Sequence, residues 1–494
     1  MAEALVLGTK SFCLLINNVE TNLEYAALSN ASYNRLNRNS FSANKLETEM
    51  LRLGEFNSRS CDGISRRAFV QAGAALPLTA MLSGEQIAQA ATQARAKTVV
   101  FVWLWGAPSH LDTFDPKPDA PLNYRGPFST IPTTLPGVRF TELVPKLAAR
   151  TDKFALVRSN ITHDGGHPGA GTFGYTGHRE GRGITIQPSW GSIVSRHHGA
   201  GEGLPPYVML SRGIPRDVVK TIDGYGGGDW GKAYDPFLIQ CDELGTINIP
   251  ALKLVDGVTP DRIAHRRNLQ GQLDKIRRNV TADTFDAWDS KSKQAFTLLT
   301  NKQALESLDL TKESTELREN YGQSSFGQSL LLARRLVEAE VPFVNVSWSE
   351  FVEAFSPNTD FGWDTHVKNF DLLPNRHCPV LDTAFSAFLD DMYDRGLMDS
   401  TLVVCMGEFG RTPRINNRAA RDHWQHNYFS IWAGAGVKPG QVIGASDGKG
   451  ERPVTRGIEP TGVGVTMLDC MGIDSIARAE LNVLPDGEFI HELF

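Results

Sequence analysis

Cysteine is scarce in this chain and never closely paired. Six cysteines (Cys13, Cys61, Cys241, Cys378, Cys405 and Cys470) are spread over 494 residues without a CxxC pair. That spacing excludes a structural zinc knuckle and a dense disulfide framework, leaving room for one disulfide among the last four in an oxidising compartment. Excess positive charge is also missing. The formal net charge is -6, which gives no electrostatic footprint for nucleic acid. There is no internal repeat and no low-complexity tract. The chain also lacks a long uninterrupted apolar run. The run from Ala72 to Leu82 is too short and is broken by Pro77, so no stable membrane span is expected in the mature protein. What is present is length enough for a large core, 9% aromatic residues, nine tryptophans and twelve histidines.

The apolar run belongs to a recognisable export signal. Ser65-Arg66-Arg67-Ala68-Phe69-Val70 precedes it, and Ala88-Gln89-Ala90 follows as a small-x-small cleavage box. Residues 65–90 therefore read as a twin-arginine signal peptide, which places the protein in the periplasm or outside the cell. Residues 1–64 read as a disordered extension or as a start placed too far upstream, with Met50 the candidate true start.

The mature part, 97–494, alternates apolar strands with amphipathic helices. Lys97–Trp105, Phe154–Val157, Pro342–Val346, Thr401–Met406 and Tyr428–Trp432 read as buried strands. Ser329–Glu340 and Val380–Arg395 carry apolar residues at helical spacing. This pattern predicts an α/β fold, a mostly parallel sheet covered on both faces. Residues of about 200–325 differ. They hold a glycine-rich loop (Gly224 to Gly231), a charged helix over Arg262–Val280 and a second over Thr284–Thr300, and read as an insertion on the sheet.

Polar residues gather where the strands end, which is where open α/β sheets bind ligands. Ser109, His110, Asp112 and Asp115 follow the first strand. Thr162, His163, His167 and His178 follow the second. Asp364 and His366 come after the third, with His377 more distant. Glu408 and Arg411 follow the fourth, and Arg421, Asp422, His423 and His426 precede the fifth. Each residue alone is more often a turn or capping residue. Together, imidazoles and carboxylates from five loops point to one metal site. Mixed nitrogen and oxygen donors suit zinc, manganese or iron better than calcium, which prefers all-oxygen ligation; zinc or manganese leads, with calcium the lesser alternative. The tryptophans near these motifs (Trp103, Trp105, Trp363 and Trp424) suggest an aromatic rim.

Five segments carry a family resemblance: Gly106-Ala-Pro-Ser-His-Leu-Asp-Thr-Phe-Asp-Pro-Lys-Pro118, Gly327-Gln-Ser-Leu-Leu-Leu-Ala-Arg-Arg-Leu-Val-Glu338, Gly362-Trp-Asp-Thr-His366, Gly407-Glu-Phe-Gly-Arg-Thr-Pro413 and Arg421-Asp-His-Trp424. From about Ser65 onward the chain resembles the exported bacterial family called domain of unknown function 1501, abundant in planctomycetes and often labelled sulfatase-like. That family is placed in the alkaline phosphatase and sulfatase superfamily. The resemblance implies a three-layer α/β/α sandwich and a metal-dependent hydrolase of phosphate or sulfate esters. Its substrate would be a small anionic ester or a sulfated or phosphorylated glycan. It also implies metal ligands at Asp112, Asp364, His366, Glu408 and either His423 or His426; His163 and Asp422, from the same loops, complete the candidate ligands, with His167, Thr162 and Arg411 as catalytic candidates and Arg421 as a second anion holder. Two positions depart from the pattern. Phe409 replaces the histidine expected after the strand-end acid. Counting back from Thr176-Gly177 to the nucleophile position reaches His167 rather than cysteine or serine, which disfavours a formylglycine sulfatase. The competing expectation is a non-catalytic relative, metal-stabilised or carbohydrate-binding. A mutase or isomerase of phosphorylated sugars fits poorly with export.

Overall fold

The computed structural model describes residues 94–179, 186–199, 203–217, 221–251, 290–353, 362–483 and 487–494. All of them fall within the unit Leu82–Phe494. The export signal, the N-terminal extension and the helix expected over Arg262–Val280 lie outside the described residues.

Nine strands form the central sheet. In chain order they are β1 (Thr98–Trp103), β2 (Ala155–Asn160), β3 (Tyr207–Leu210), β4 (Phe237–Cys241), β5 (Ile247–Asn248), β6 (Phe343–Ser347), β7 (Thr401–Met406), β8 (Tyr428–Ala433) and β9 (Gln441–Ile443). Their spatial order is β9-β2-β8-β7-β1-β6-β3-β4-β5. Most neighbours pair in parallel; β8 runs against β2 and β7, and β5 runs against β4. The protein is therefore an α/β molecule with a mostly parallel sheet.

Side chains alternate across the sheet, and each set has its own core. Val100 and Val102 of β1 join Val344, Val346, Val403 and Cys405 on one face. That face packs on α3 (Ser325–Glu338) and α4 (Cys378–Asp394). On α4, Leu381, Ala384, Phe385, Phe388, Leu389 and Met392 are buried at helical spacing. Val99, Phe101 and Trp103 point the other way, with Val404, Met406 and Trp432. They meet α1 (His167–Thr176), α2 (Trp190–His198) and α5 (Pro460–Cys470). The run Thr98–Trp103 is apolar throughout because both faces of a central parallel strand are covered.

The stretch 200–325 departs from its expected role as an insertion. It supplies β3, β4 and β5, so it extends the sheet itself. The glycine-rich loop folds into three short 3-10 turns, and Ser290–Thr300 is helical. Cys241, Cys378, Cys405 and Cys470 are free and buried, so the disulfide allowed by the sequence does not form. Trp103, Trp105 and Trp363 are core residues rather than an aromatic rim.

Since β1, β2, β6 and β7 run in one direction and β8 returns, four loops leave and one enters along the same sheet edge. Gly106 brings two of them together. It adopts φ +101°, and a Cβ there would lie 2.3 Å from the Trp363 backbone nitrogen. Trp363 N donates to the Trp105 carbonyl at 2.9 Å, tying the loop after β6 to the loop after β1.

Candidate metal centre

Asp364 sits at the middle of the gathered loops. Its Oδ1 lies 3.0 Å from His366 Nε2, 3.2 Å from His423 Nε2, 3.3 Å from His167 Nε2 and 2.7 Å from Arg411 Nη2. One carboxylate oxygen thus faces three imidazoles through the same ring nitrogen.

The other nitrogen of each ring is already engaged. His423 Nδ1 lies 2.7 Å from the Gly165 carbonyl oxygen. A carbonyl only accepts, so Nδ1 carries the proton and Nε2 presents its lone pair. His366 Nδ1 lies 2.7 Å from Asp422 Oδ1, and His167 Nδ1 lies 2.6 Å from Glu408 Oε1. Carboxylates behind a ring fix its tautomer and orientation, as they do behind metal-ligating histidines. His366 Nε2 and His423 Nε2 are 2.8 Å apart. Two lone pairs that close repel unless a proton or a cation lies between them. His167 Nε2 is buried with no hydrogen-bond partner among the described residues. These donors fit a divalent ion: His167, Asp364 and His423 offer ligand atoms within 4.8 Å of one another, and His366 adjoins them.

Local sequence explains the placement. His167 opens α1, followed by Pro168 in the first turn, where a missing N–H costs nothing. Asp164 accepts from Gly166 N at 2.7 Å, just ahead of that helix. Gly410–Arg411 pairs antiparallel with His423–Trp424, so a two-stranded ribbon sets His423 opposite Arg411. Glu408 is fully buried, and its Oε1 also accepts from Gly106 N at 2.9 Å.

Electrostatics follow from the crowding. Burial opposes ionisation of Asp364, but Arg411 and the three imidazoles outweigh it and hold the carboxyl well below its usual range. Burial also opposes charge on His167, yet Asp364 and Glu408 prevail and raise its pKa. His366 is raised mainly by its bond to Asp364. His423 is lowered, with burial the largest cause. A divalent ion held here would require the ligating ring nitrogens to be unprotonated.

Of the residues singled out in the sequence, the structure gathers Asp364, His366, Glu408, Arg411, Asp422, His423 and His167. Their roles divide further. Glu408 and Asp422 stand behind imidazoles rather than beside Asp364. His167, expected at a nucleophile's position, turns its Nε2 toward Asp364. Arg411 is fully buried and bound to Asp364 and to the carbonyls of Gly106 and Ala107, while its Nη1 has no hydrogen-bond partner among the described residues. Arg421, equally buried, grips Asp112 through Nε at 2.7 Å and Nη2 at 3.0 Å. With Asn369 Nδ2 at 3.1 Å, that pair engages both Asp112 oxygens away from the centre. His163 is half-exposed and bonds Glu459 at 2.8 Å. His426 packs edge-on against Trp424. Thr162 Oγ1 is buried without a partner among the described residues. His377, the weakest histidine by sequence, is fully buried, with Nε2 2.8 Å from the Gly362 carbonyl, where it steadies the turn into Asp364. Sequence reasoning missed the Gly165 carbonyl, since no side chain announces it.

Comparison with curated proteins finds no match. Among solved structures, a sulfatase from Pseudoalteromonas sp. is 11% identical with a TM-score of 0.31, covering 79% of this chain and 70% of that one. A phosphonate monoester hydrolase from Silicibacter pomeroyi is 14% identical at 0.32, covering 80% and 75%. A mutant of TAB5 alkaline phosphatase is 9% identical at 0.30, covering 70% and 94%. At the level of sequence, residues 96–479 match a family described as a protein of unknown function, DUF1501, and the chain belongs to that family.

Proposed function

We propose that the protein is an exported, metal-dependent hydrolase of phosphate or sulfate esters. The observation that carries this reading is the convergence of three imidazole Nε2 atoms on Asp364 Oδ1, each ring held from behind by an acceptor. His167, Asp364, His366 and His423 would hold the ion, with zinc or manganese the best match to the donor set. When bound, such an ion supplies Lewis acidity that polarises an ester and acidifies water. The chain's own residues do the rest. Glu408 keeps the His167 proton on Nδ1, Asp422 does the same for His366, and Arg411 keeps Asp364 ionised. The side chains of His366 and His423 are 31% and 25% exposed, so this side of the centre is open to substrate.

His167 stands where relatives of the resembled superfamily carry a nucleophile, which favours water as the attacking group over a covalent intermediate. The same observation supports the second reading, a metal-stabilised surface protein without turnover. Export in the folded state through the twin-arginine route fits a site assembled from five separate loops. No helix among the described residues is long and apolar enough to cross a membrane.

The test is turnover. Purified protein loaded with zinc or manganese is assayed on aryl phosphate mono- and diesters and aryl sulfates. Hydrolysis of at least one class, lost in His366→Ala, is expected. Bound metal with no turnover of any class would favour the second reading.

A further inference from the structure

We propose that the hollow beside Asp422 is a sugar-binding subsite, so that the ester handled at the candidate centre is carried on a carbohydrate ring. This rests on the hydrolase reading for the role of the ring, though not for its binding. The hollow is an open depression of about 370 Å³, lined by Thr412, Arg414, Asn417, Asp422, Trp424 and Glu451 among others. That volume lies within the usual range for small-ligand pockets, roughly 300–1,000 Å³. It adjoins the centre directly: Asp422 lines the hollow and also holds His366 through Oδ1.

The lining has the chemistry of hydroxyl recognition. Trp424 is half-buried, and its Nε1 donates to the Glu451 carbonyl at 2.7 Å, which fixes the indole. His426 packs edge-on against it, with ring centroids 4.8 Å apart. An immobilised indole offers an apolar surface to the C–H face of a pyranose at little entropic cost. The Arg414, Asn417 and Glu451 side chains make no bond to another described residue. A guanidinium, an amide and two carboxylates can together donate to and accept from ring hydroxyls.

Other occupants fit less well. An aryl or alkyl group would strip water from Asp422 and Glu451 without replacing their hydrogen bonds. A polyanion would find Arg414 as the one unpaired guanidinium of the lining, beside the unpaired Glu451 carboxylate, because Arg418 is already paired with Asp422 Oδ1 at 3.5 Å. A single uncharged ring, with its ester group directed at Asp364 and His366, satisfies both constraints.

The test is direct binding, independent of turnover. Methyl galactoside 6-sulfate, methyl glucoside 6-sulfate and inorganic sulfate are titrated into zinc-loaded protein and followed by saturation-transfer NMR, with metal content measured on the same samples. Ring protons of a sugar sulfate should saturate. Trp424→Ala and Asn417→Ala should each weaken that binding about tenfold while retaining the metal; Asn417 is exposed, so its variant folds even if the Trp424 variant does not. Sugar sulfates binding no better than inorganic sulfate, or indifference to both substitutions, would overturn the subsite. Loss of metal from the wild type would count against the centre instead.

Discussion

At the scale of the residue, a few buried polar groups set the chemistry, and one of them gives a pH signature. His110 is completely buried, with Nε2 2.9 Å from the Gly450 carbonyl. Burial pushes its pKa down to about 4, only partly offset by Asp115 and the Gly450 contact, with Arg421 and Lys117 lowering it further. The unfolded chain would protonate this ring near pH 6.5. Between those values the unfolded state binds more protons, so stability falls as pH drops from 6.5 towards 4 and is unaffected by this group above 6.5. The shift is worth about 3 kcal/mol when fully expressed. His110→Gln should flatten that part of the stability curve, measured by urea unfolding at pH 7 and pH 4.5 in wild type and variant. An unchanged difference between the two pH values would rule His110 out as its source. His110 also shows what sequence alone hides. It stood in the right loop to be a ligand, and only its fit beneath Gly450 marks it as a core residue. Asp112 is the parallel case, taken by Arg421 from a loop 309 residues away.

At the scale of the element, strands were the most legible part of the chain. Thr401–Met406 and Tyr428–Ala433 coincide with apolar, β-branched or aromatic runs bounded by polar loops. The helices of the α3–α4 face were equally plain, because their burial is amphipathic. The opposite face was harder to read. α1 and α5 are rich in glycine and threonine and nearly buried all round, so no stripe distinguishes them. Their glycines are there for close packing: a Cβ on Gly174 would come 2.3 Å from Trp103, and one on Gly464 would come 2.1 Å from Trp190. Gly464→Ala, although better for helix propensity, should therefore destabilise the protein by about 1–3 kcal/mol through overpacking. Chemical denaturation measures it; a neutral or stabilising result would mean that Trp190 moves aside freely. The short strands between 207 and 248 were missed because a glycine-rich loop separates them and each is only two to five residues long, which leaves little periodicity to read.

At the scale of the whole molecule, the sheet accounts for why distant motifs form one site. Four parallel strands end, and one antiparallel strand begins, at the same edge. Residues from Gly165 to His423 therefore meet although some 250 positions separate them. The order of the motifs was visible in the sequence. Which residues touch Asp364 and which stand behind its partners was not, since that depends on ring orientation. The same closed architecture governs the thiols. All four cysteines of the described chain are buried and unpaired, and burial pushes the Cys405 thiol far up. They should resist a thiol reagent in the folded protein, react fully in denaturant, and leave thermal stability unchanged by reductant. A reductant-sensitive melting temperature would contradict that.

Metal affinity tests the convergence at Asp364 most directly. Purified wild type, His366→Ala and Asp422→Asn are dialysed against zinc or manganese, and bound ion is measured by mass spectrometry and calorimetry. The wild type should hold a divalent ion at this centre. His366→Ala should lose a ligand and most of the affinity. Asp422→Asn keeps every ligand but weakens the support of the His366 ring, and should bind about 10–100-fold more weakly. A wild type that binds no ion, or variants that bind as tightly as the wild type, would contradict the account.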